Sequence, residues 1–306
     1  MKKSEILLYK YFQNWINIYK KGSIRKISFK KYELTLDWII KIAREIRLCD
    51  LDRITYQTIL NNFAEFHERQ TTMDFHHHLK SCLLDALDDG YLSSDPTRKV
   101  VIKGKNPSNK KVKFLSQFEL QLLIKTLKLN ETINLDWLIL LIAKTGLRYS
   151  EALALTPQDF DFAKQTLTIT KTWNYKEDGG FMPTKNKSSI RKIQLDWMTV
   201  TQFSGIIKNI PENRPIFVFK EKTYNSTIND LLRRRCIKAG IPIISVHSLR
   251  HTHASLLLYA GVSIASVAKR LGHSSMNTTE KVYLHIINEL ENKDVDLVMR
   301  SISILN

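Results

Sequence analysis

The segment TTEKVYLHI places Tyr283 where a tyrosine could act as a nucleophile. A phenol is ordinarily a poor nucleophile because its pKa is about 10. It becomes a good one where positive charge stabilises the phenolate and a base lies nearby. Asn277 or Thr278 is expected to cap a helix that carries Tyr283 between its first and second turns. The alternative interpretation is an aromatic residue packed into the core.

Two arginines stand where they could hold a phosphate. Arg148, in TGLRYSEAL, follows a predicted buried helix and precedes a short helix that Ser150 is expected to cap. Arg250 lies in HSLRHTHAS, on another predicted helix. Arginine suits bidentate contact with phosphate oxygens and stays charged at any relevant pH. Taken alone, Arg148 could instead be a surface arginine that pairs with Glu151.

Two histidines accompany these arginines. His247 lies three residues before Arg250, so the imidazole and the guanidinium share one stripe of the predicted helix. His273, in LGHSS, follows the glycine expected to end the preceding helix and lies on an exposed turn. Alternatives remain for both residues. His247 and His251 have the spacing of a zinc pair, although no carboxylate or cysteine joins them nearby, and either site histidine could be structural or solvated.

The four segments TGLRYSEAL, HSLRHTHAS, LGHSS and TTEKVYLHI, in this order and spacing, resemble the motifs of the tyrosine recombinase or phage integrase family. Each motif is weak alone, and the ordered set is specific. The resemblance covers residues from about 115 to 300. The earlier segment FHHHLKSCLLDALDDGYLSSDP is similar to the core-binding domain of that family.

The resemblance implies a role for each matching residue. Arg148 and Arg250 match the two phosphate-clamping arginines, His247 and His273 the two histidines, and Tyr283 the nucleophile. Glu151 matches an acidic position that supports the first arginine and the active-site histidine. The family also uses a hairpin lysine as general acid. The segment PTKNKSSIRKIQL offers Lys185, which aligns best with it, and Lys187 as the alternative.

The reaction implied by the resemblance is site-specific cleavage and rejoining of DNA through a 3′-phosphotyrosine. Because this bond stores the energy of the cleaved phosphodiester, we expect no ATP, no metal and no other cofactor. We expect a monomer in free solution and a homotetramer on the DNA synapse, with excision or DNA-bending architectural factors as further partners. The reaction would integrate or excise a mobile element, and the first alternative is a resolvase of plasmid or chromosome dimers.

Composition agrees with a polyanionic partner. The chain has 306 residues and a formal net charge of +17, and an excess of this size favours double-stranded DNA. The three cysteines are scattered, which argues against a disulfide framework or a cysteine-rich zinc site. No apolar run is long enough to span a bilayer. We therefore expect a cytoplasmic protein, and the resemblance implies one that is nucleoid-associated and encoded by a bacterium or a phage.

Periodicity predicts a mainly α protein with a small antiparallel β-sheet. Together with the resemblance, this organisation leads us to expect a helical core-type DNA-binding domain over 1–97, a basic linker over 98–114, and an α+β catalytic domain with a C-terminal tail helix over 115–306. Helices are predicted over 5–19, 32–46, 55–70, 73–88, 116–128, 135–144 and 150–155, and again from residue 246. Strands are predicted over 166–172 and 190–195, with Asp178-Gly179-Gly180 turning between them.

The predicted linker is rich in lysine and has no apolar periodicity. It would be a strap on the DNA backbone or, alternatively, a solvated loop. Its candidate DNA-binding residues are Lys99, Lys103, Lys105, Lys110, Lys111 and Lys113.

Both ends of the chain bear on how such an enzyme would work. Because the core-binding helices begin within the first few residues, we expect no additional domain for arm-type DNA sites. In the family, a tail such as 286–306 packs onto a neighbouring protomer, and packing onto its own domain is the alternative. Two rival functions remain, a type IB topoisomerase and a DNA-binding regulator without activity.

Overall fold

The computed structural model describes residues 5–106, 112–219, 224–277, 279–280 and 283. The chain divides into two compact units, Met1–Lys110 and Lys111–Asn306. Among the described residues no helix has the length and apolar character needed to cross a bilayer. The predicted tail helix, together with Lys110 and Lys111, lies outside the described residues.

The first unit is helical. Its helices are α1 (Leu8–Trp15), which a π-helical turn extends to Lys20, α2 (Lys26–Ile42), α3 (Arg53–Ala64) and α4 (Arg69–Asp88). One apolar core joins them, with Phe12, Ile39, Tyr56 and Leu79 among its fully buried side chains. The second predicted helix was placed several residues too late along the chain. The third was predicted too long, because a break at 65–68 separates α3 from α4.

Residues 98–106, assigned to the linker above, lie against α3 and the start of α4. The Gln57 side chain donates to the Val101 carbonyl and accepts from the Val101 amide, at 2.9 Å each. The Lys105 amide donates to the His67 carbonyl. Gly104 packs so closely that a Cβ built there would lie 2.2 Å from the Arg69 backbone nitrogen. This part of the chain is therefore held in place through hydrogen bonds to its own backbone and through the close packing of Gly104.

We expect Gly104→Ala to destabilise the first unit by about 1–3 kcal/mol, as overpacking does elsewhere. The added methyl group meets backbone atoms, which cannot move aside as a flexible side chain could. Chemical denaturation measures the effect. Gly205→Ala is the matched control, since a Cβ there meets open space in a helix and alanine is the better helix former. Equal stability of the Gly104→Ala variant and the wild type would contradict the close packing.

The second unit combines helices with two small antiparallel sheets. Its helices are α5 (Gln117–Thr126), α6 (Leu135–Thr145), α7 (Tyr149–Leu153), α8 (Trp197–Ile206), α9 (Asn225–Ala239), α10 (Val246–Tyr259) and α11 (Ile264–Leu271). Its strands are β1 (Phe160–Asp161), β2 (Thr166–Ile169), β3 (Lys171–Trp173), β4 (Phe181–Pro183) and β5 (Arg191–Gln194). The mainly α fold with a small antiparallel sheet is confirmed.

The sheets differ from the predicted hairpin. The predicted strand 166–172 divides in two: β2 pairs with β5, and β3 pairs with β4. The loop with Gly179 and Gly180 therefore connects β3 to β4, a strand that periodicity did not reveal. Helices α8 and α9 were also missed, although Asp196 caps α8 by accepting from the Thr199 amide.

Helix α6 is the central support of this unit. Its sequence LDWLILLIAKT is apolar on almost every side, so the helix is buried nearly all round. Asn134 caps its start, and Gly146 ends it with the left-handed φ of 68° that glycine adopts without a steric penalty. Helix α10 packs across α6, and α11 follows α10. The ends of α6 and α11 and one face of α10 are thus brought together.

Candidate active site

Arg148 lies at the junction of α6 and α7. Its side chain is one-third exposed and donates to Glu151 Oε1 at 2.7 Å and to the Gly272 carbonyl at 3.1 Å. The Arg148 amide donates to Glu151 Oε2, so Arg148 rather than the predicted Ser150 precedes the first turn of α7. The predicted ion pair with Glu151 exists. Because Glu151 is buried, its ion pair with Arg148 fixes the position of the Arg148 guanidinium, which a pair of two exposed side chains would not do.

Glu151 is shared with a second buried arginine. Arg191 of β5 donates to both carboxylate oxygens, at 3.2 and 2.9 Å, in the fork geometry of a strong ion pair. Burial by itself would raise the pKa of Glu151, but the hydrogen bond and charge of Arg191, with the charge of Arg148, lower it below its usual value. Sequence reasoning did not single out Arg191, although it lies in the SSIR segment already noted beside the lysines.

Arg250 of α10 is 3% exposed and is held by two backbone carbonyls. Its Nη1 donates to Gly146 O and its Nη2 to Leu271 O, both at 2.7 Å. These carbonyls belong to the ends of α6 and α11, where free carbonyl groups accumulate. Burial and the charge of Arg148 lower the pKa of Arg250 to about 9, so it remains cationic at neutral pH.

His273 follows α11, whose end Gly272 forms with a φ of 70°. Its Nδ1 lies 2.8 Å from the Thr279 hydroxyl. Burial and then the charges of Arg250, Arg148 and Arg191 lower the pKa of His273 to about 4, so the imidazole is neutral. A side chain at Gly272 would collide with the Arg191 guanidinium at 2.9 Å, which means that Arg191 also fixes the backbone before His273.

A further histidine, His253, packs against the end of α6. Arg270 Nε donates to His253 Nε2 at 2.9 Å, so the proton of this imidazole lies on Nδ1, which donates to the Ala143 carbonyl. Burial and the charge of Arg270 lower the pKa of His253 to about 3. Its ring packs on Gly146, where a Cβ would lie 2.7 Å away. His253 therefore belongs to the core side of α10.

Tyr283 is 2% exposed and packs beside Ala254, Leu258 and Leu271. Burial raises its pKa to about 12, and the charge of Arg250 opposes that rise. Its hydroxyl lies 2.9 Å from Nδ1 of His251. His251 was considered in the sequence only as a partner in a metal pair. Within the described part of the chain, no three histidine, cysteine or acidic side chains are grouped as a metal site.

Three of the predicted site residues, His247, Lys185 and Lys187, are more exposed than the arginines and Tyr283. His247 is exposed, and its ring stands edge-on to His251 with centroids 4.8 Å apart. Partial burial and the charges of Arg250 and Arg148 lower its pKa. Lys185 and Lys187 are exposed in the segment between β4 and β5, and no hydrogen bond or ion pair in the described residues joins either ammonium to the cluster.

The linker lysines are also divided. Lys99, Lys103 and Lys105 belong to the first unit, where Lys99 and Lys103 line a groove along α3 with Arg53. Lys113 belongs to the second unit, and its charge contributes to lowering the pKa of His251. Lys113 is therefore close enough to act electrostatically on His251, the residue that contacts the Tyr283 hydroxyl.

The arrangement as a whole is suited to an anion that reacts with a phenol. Glu151 forms ion pairs with Arg148 and Arg191, while Arg250 donates to backbone carbonyls, so the three guanidiniums leave excess positive charge beside Tyr283. Neutral imidazoles stand next to them. Such fixed donors stabilise negative charge that develops on a phosphoryl group, because they need no reorganisation during the reaction.

Comparison with known proteins gives one family and several relatives. The model of the phage integrase family matches residues 113–289. A tyrosine recombinase XerC-like protein of Caldanaerobacter subterraneus is 26% identical, over 92% of this chain and 80% of the relative. The ICEBs1 integrase of Bacillus subtilis is 29% identical over 46% of this chain. The chain spans 42% of that relative's length, so the match covers less than half of it.

Solved structures share the fold. The Tn1549 transposon integrase in complex with a circular intermediate DNA has a TM-score of 0.75 at 18% identity, covering 90% of this chain and 94% of that one. A lambda integrase tetramer bound to a Holliday junction has a TM-score of 0.65 at 14% identity, covering 90% and 79%.

Proposed function

The chain belongs to the phage integrase family, and from this membership and the cationic cluster around Tyr283 we propose that it is a site-specific tyrosine recombinase. The observation that carries the proposal is the position of the Tyr283 hydroxyl. It lies beside a histidine of the helix that also carries the buried Arg250, and Arg250 lowers the cost of a phenolate. The relatives named integrase and tyrosine recombinase favour the same chemistry.

In the proposed reaction, Arg148 and Arg250 clamp the scissile phosphate, with His247 and His273 as further hydrogen-bond donors. Tyr283 attacks phosphorus, and a 5′-hydroxyl leaves. Glu151 keeps Arg148 in place. The carbonyls that accept from Arg250 occupy two of its donor groups, so the remaining N–H groups are the ones available to phosphate. A second strand's 5′-hydroxyl then attacks the phosphotyrosine and reseals the DNA.

Lys185 is the proposed general acid for the leaving oxygen, with Lys187 as its rival on the same segment. Both are exposed and have room to reach DNA. We expect Lys185→Ala to slow cleavage by about 10²–10⁴-fold, the usual contribution of general acid catalysis. A scissile phosphate with sulfur in the 5′-bridging position should restore the rate, because a thiol, with a pKa of about 8.5, leaves without a donated proton.

Lys187→Ala is the matched control for this experiment, measured as the rate of adduct formation on both substrates. It should behave like wild type on ordinary DNA. If it is slowed and rescued while Lys185→Ala is not, the assignment of the acid moves to Lys187.

DNA contact in the first unit is proposed to use the groove along α3. Lys99, Lys103 and Arg53 line it, and the segment that carries the lysines is held by hydrogen bonds between the Gln57 side chain and the Val101 backbone. Fixed cations of this kind bind the phosphate backbone without reading its sequence. Lys113, in the second unit, is proposed to contact phosphate as well. Lys110 and Lys111 complete the proposed strap on sequence grounds alone.

The proposed assembly is a multimer on DNA, a homotetramer when two sites are joined. The solved lambda integrase tetramer on a Holliday junction supports this proposal by similarity of fold. The tail 286–306 would pack onto a neighbouring protomer, so deletion of residues after about 290 should abolish recombination. The protein would act in the cytoplasm, at the nucleoid, on a mobile element or, in the alternative, on dimeric replicons.

Incubation with DNA tests the proposed function. The duplex is taken from the sequences that flank the gene, and an unrelated duplex of equal length is the control. Our proposal predicts a covalent protein–DNA adduct under denaturing conditions, formed only on the flanking sequence. An adduct on arbitrary DNA with relaxation of supercoils would indicate a type IB topoisomerase. Binding without an adduct would indicate a regulator.

A further inference from the structure

The mechanism proposed above leaves the proton of the nucleophile without an acceptor. Tyr283 must lose a proton when it attacks phosphorus. The structure places one nitrogen at hydrogen-bond distance from that proton, Nδ1 of His251 at 2.9 Å. The angle between the two rings is 57° and their centroids are 5.8 Å apart, so the rings are tilted and do not stack.

Both partners of this contact are held rigidly. His251 is half-buried in the middle of α10, directly after Arg250 and directly before Thr252. The Thr252 hydroxyl accepts from the Leu115 amide and donates to the Ser248 carbonyl, which fixes this turn of the helix. Tyr283 is enclosed by apolar side chains. The contact therefore follows from packing on both sides.

The charges around the pair settle the direction of the hydrogen bond. Burial, followed by the charges of His247, Arg250 and Lys113, lowers the pKa of His251 to about 4, so its imidazole is neutral. The phenol of Tyr283, whose pKa is about 12, carries its proton. Tyr283 is then the donor and Nδ1 the acceptor, and the imidazole proton lies on Nε2. This is the ground state that a general base requires.

His247 is less well placed for this task. It lies one helical turn from His251 on the exposed side of α10, and its ring meets the edge of His251. Its electrostatic neighbours are the two clamping guanidiniums, Arg250 and Arg148. That position suits a donor to a phosphate oxygen.

We propose that His251 is the general base of the reaction and takes the proton from Tyr283 as the tyrosine attacks. The proposal rests on Tyr283 being the nucleophile of a recombinase. In cleavage, the bond from Tyr283 Oη to phosphorus forms, and the phenolic proton moves to His251 Nδ1. The bond from phosphorus to the 5′-oxygen breaks, its electron pair stays on that oxygen, and the general acid protonates it. In ligation, the His251 imidazolium returns the proton to the departing phenolate.

A bound phosphate adds the negative charge that favours protonation of His251. Without DNA, the excess cations disfavour an imidazolium at position 251. A phosphodiester adds one negative charge among them, and a second develops in the transition state. Negative charge within about 4–6 Å favours the protonated imidazole. The basicity of His251 therefore rises as the phenol becomes bound to phosphorus, which is when the proton must leave.

The variant His251→Asn tests whether His251 acts as a base or only positions Tyr283 through a hydrogen bond. An asparagine amide oxygen can accept the hydrogen bond close to the position of Nδ1, but it cannot take the proton. We expect adduct formation by His251→Asn to be about 10²–10⁴-fold slower than in wild type. The loss should persist on DNA with 5′-bridging sulfur, which needs no acid. Site-specific binding, measured by gel shift, should be unchanged, and His77→Asn, on an exposed face of α4, is the matched control.

Two results would overturn the assignment. Adduct formation by His251→Asn within about threefold of wild type would reduce His251 to a hydrogen-bond partner, while the wild-type adduct would still uphold the recombinase. A wild-type protein that forms no adduct on any DNA would refute the proposed function itself, and this inference with it.

A pH profile of wild type on the sulfur substrate decides the question if His251→Asn fails to fold. The rate should rise with pH through one ionisation on the acidic side and then level off, because only the neutral imidazole accepts a proton. A rate that shows no acidic limb contradicts the proposal.

Discussion

Tyr283→Phe should form no covalent adduct with DNA, while it still binds its site. The substitution removes a single oxygen from a ring that is 2% exposed, so the apolar packing around the ring is preserved. The lost hydrogen bond to His251 should cost only about 1 kcal/mol of stability. The chemical step loses its nucleophile altogether. Binding depends on cationic contacts with phosphate, which the variant retains.

Denaturing electrophoresis of labelled DNA measures the adduct, and a gel shift measures binding on the same samples. Tyr224→Phe is the matched control, since Tyr224 is 57% exposed in the same unit. The control should form the adduct at the wild-type rate. A persistent adduct with Tyr283→Phe would mean that another side chain attacks the DNA, and the assignment of the active site would then be wrong.

Glu151→Gln should destabilise the second unit by about 3 kcal/mol and slow cleavage. Glu151 is 1% exposed and balances two guanidiniums. Removing one member of a buried ion pair leaves the partner charges without compensation, which costs far more than losing a surface pair. The amide also turns one acceptor into a donor that faces Arg148 or Arg191. Because Arg148 is aligned by this carboxylate, phosphate clamping suffers as well.

The pH dependence of this effect has a defined sign. The pKa of Glu151 is lowered in the folded protein, so its ionised form stabilises the fold above the unfolded pKa of about 4.3. That stabilisation is lost as the pH falls through the lower folded value. The difference in unfolding free energy between wild type and Glu151→Gln should therefore be constant near neutral pH and shrink in acid. Denaturant titrations at several pH values measure it.

Glu119→Gln is the control for this substitution. Glu119 accepts from the Ser116 amide in the capping box of α5, a role that glutamine also performs. It should change stability little at any pH. A Glu151→Gln protein as stable as this control would show that the buried carboxylate does not hold the two arginines.

Local sequence signals predicted the supports of the site well. The helix predicted over 116–128 forms as α5, which begins at a capping box of Ser116 and Glu119. Gly146 and Gly272 end α6 and α11 in the left-handed conformation. These features depend on neighbouring residues alone, so their patterns are visible in the chain. The expected cap at Asn277 or Thr278 was placed too late, since Asn277 is already helical and its amide contacts the Ser275 hydroxyl.

Pairings over longer distances were less predictable. The stretch 166–172 alternates as one strand, yet its two halves join different sheets, since the first half pairs with β5 and the second with β4. Alternation reports which face of a strand is buried and does not name the partner strand. Helix α9 was missed because its sequence is mostly polar and only a few of its side chains are buried in the core.

The sequence by itself determined the family resemblance and the order of the motifs, and it predicted Arg148, Arg250, His273 and Tyr283 as site residues. It could predict them because each stands in a short motif of neighbouring residues, and the order and spacing of these motifs can be read from the chain. Only the tertiary structure decided which groups serve them. His251 meets Tyr283 across 32 residues, and Arg191 meets Glu151 across 40. Contacts of this kind form only when whole helices and strands pack together, so a pattern of neighbouring residues cannot predict them.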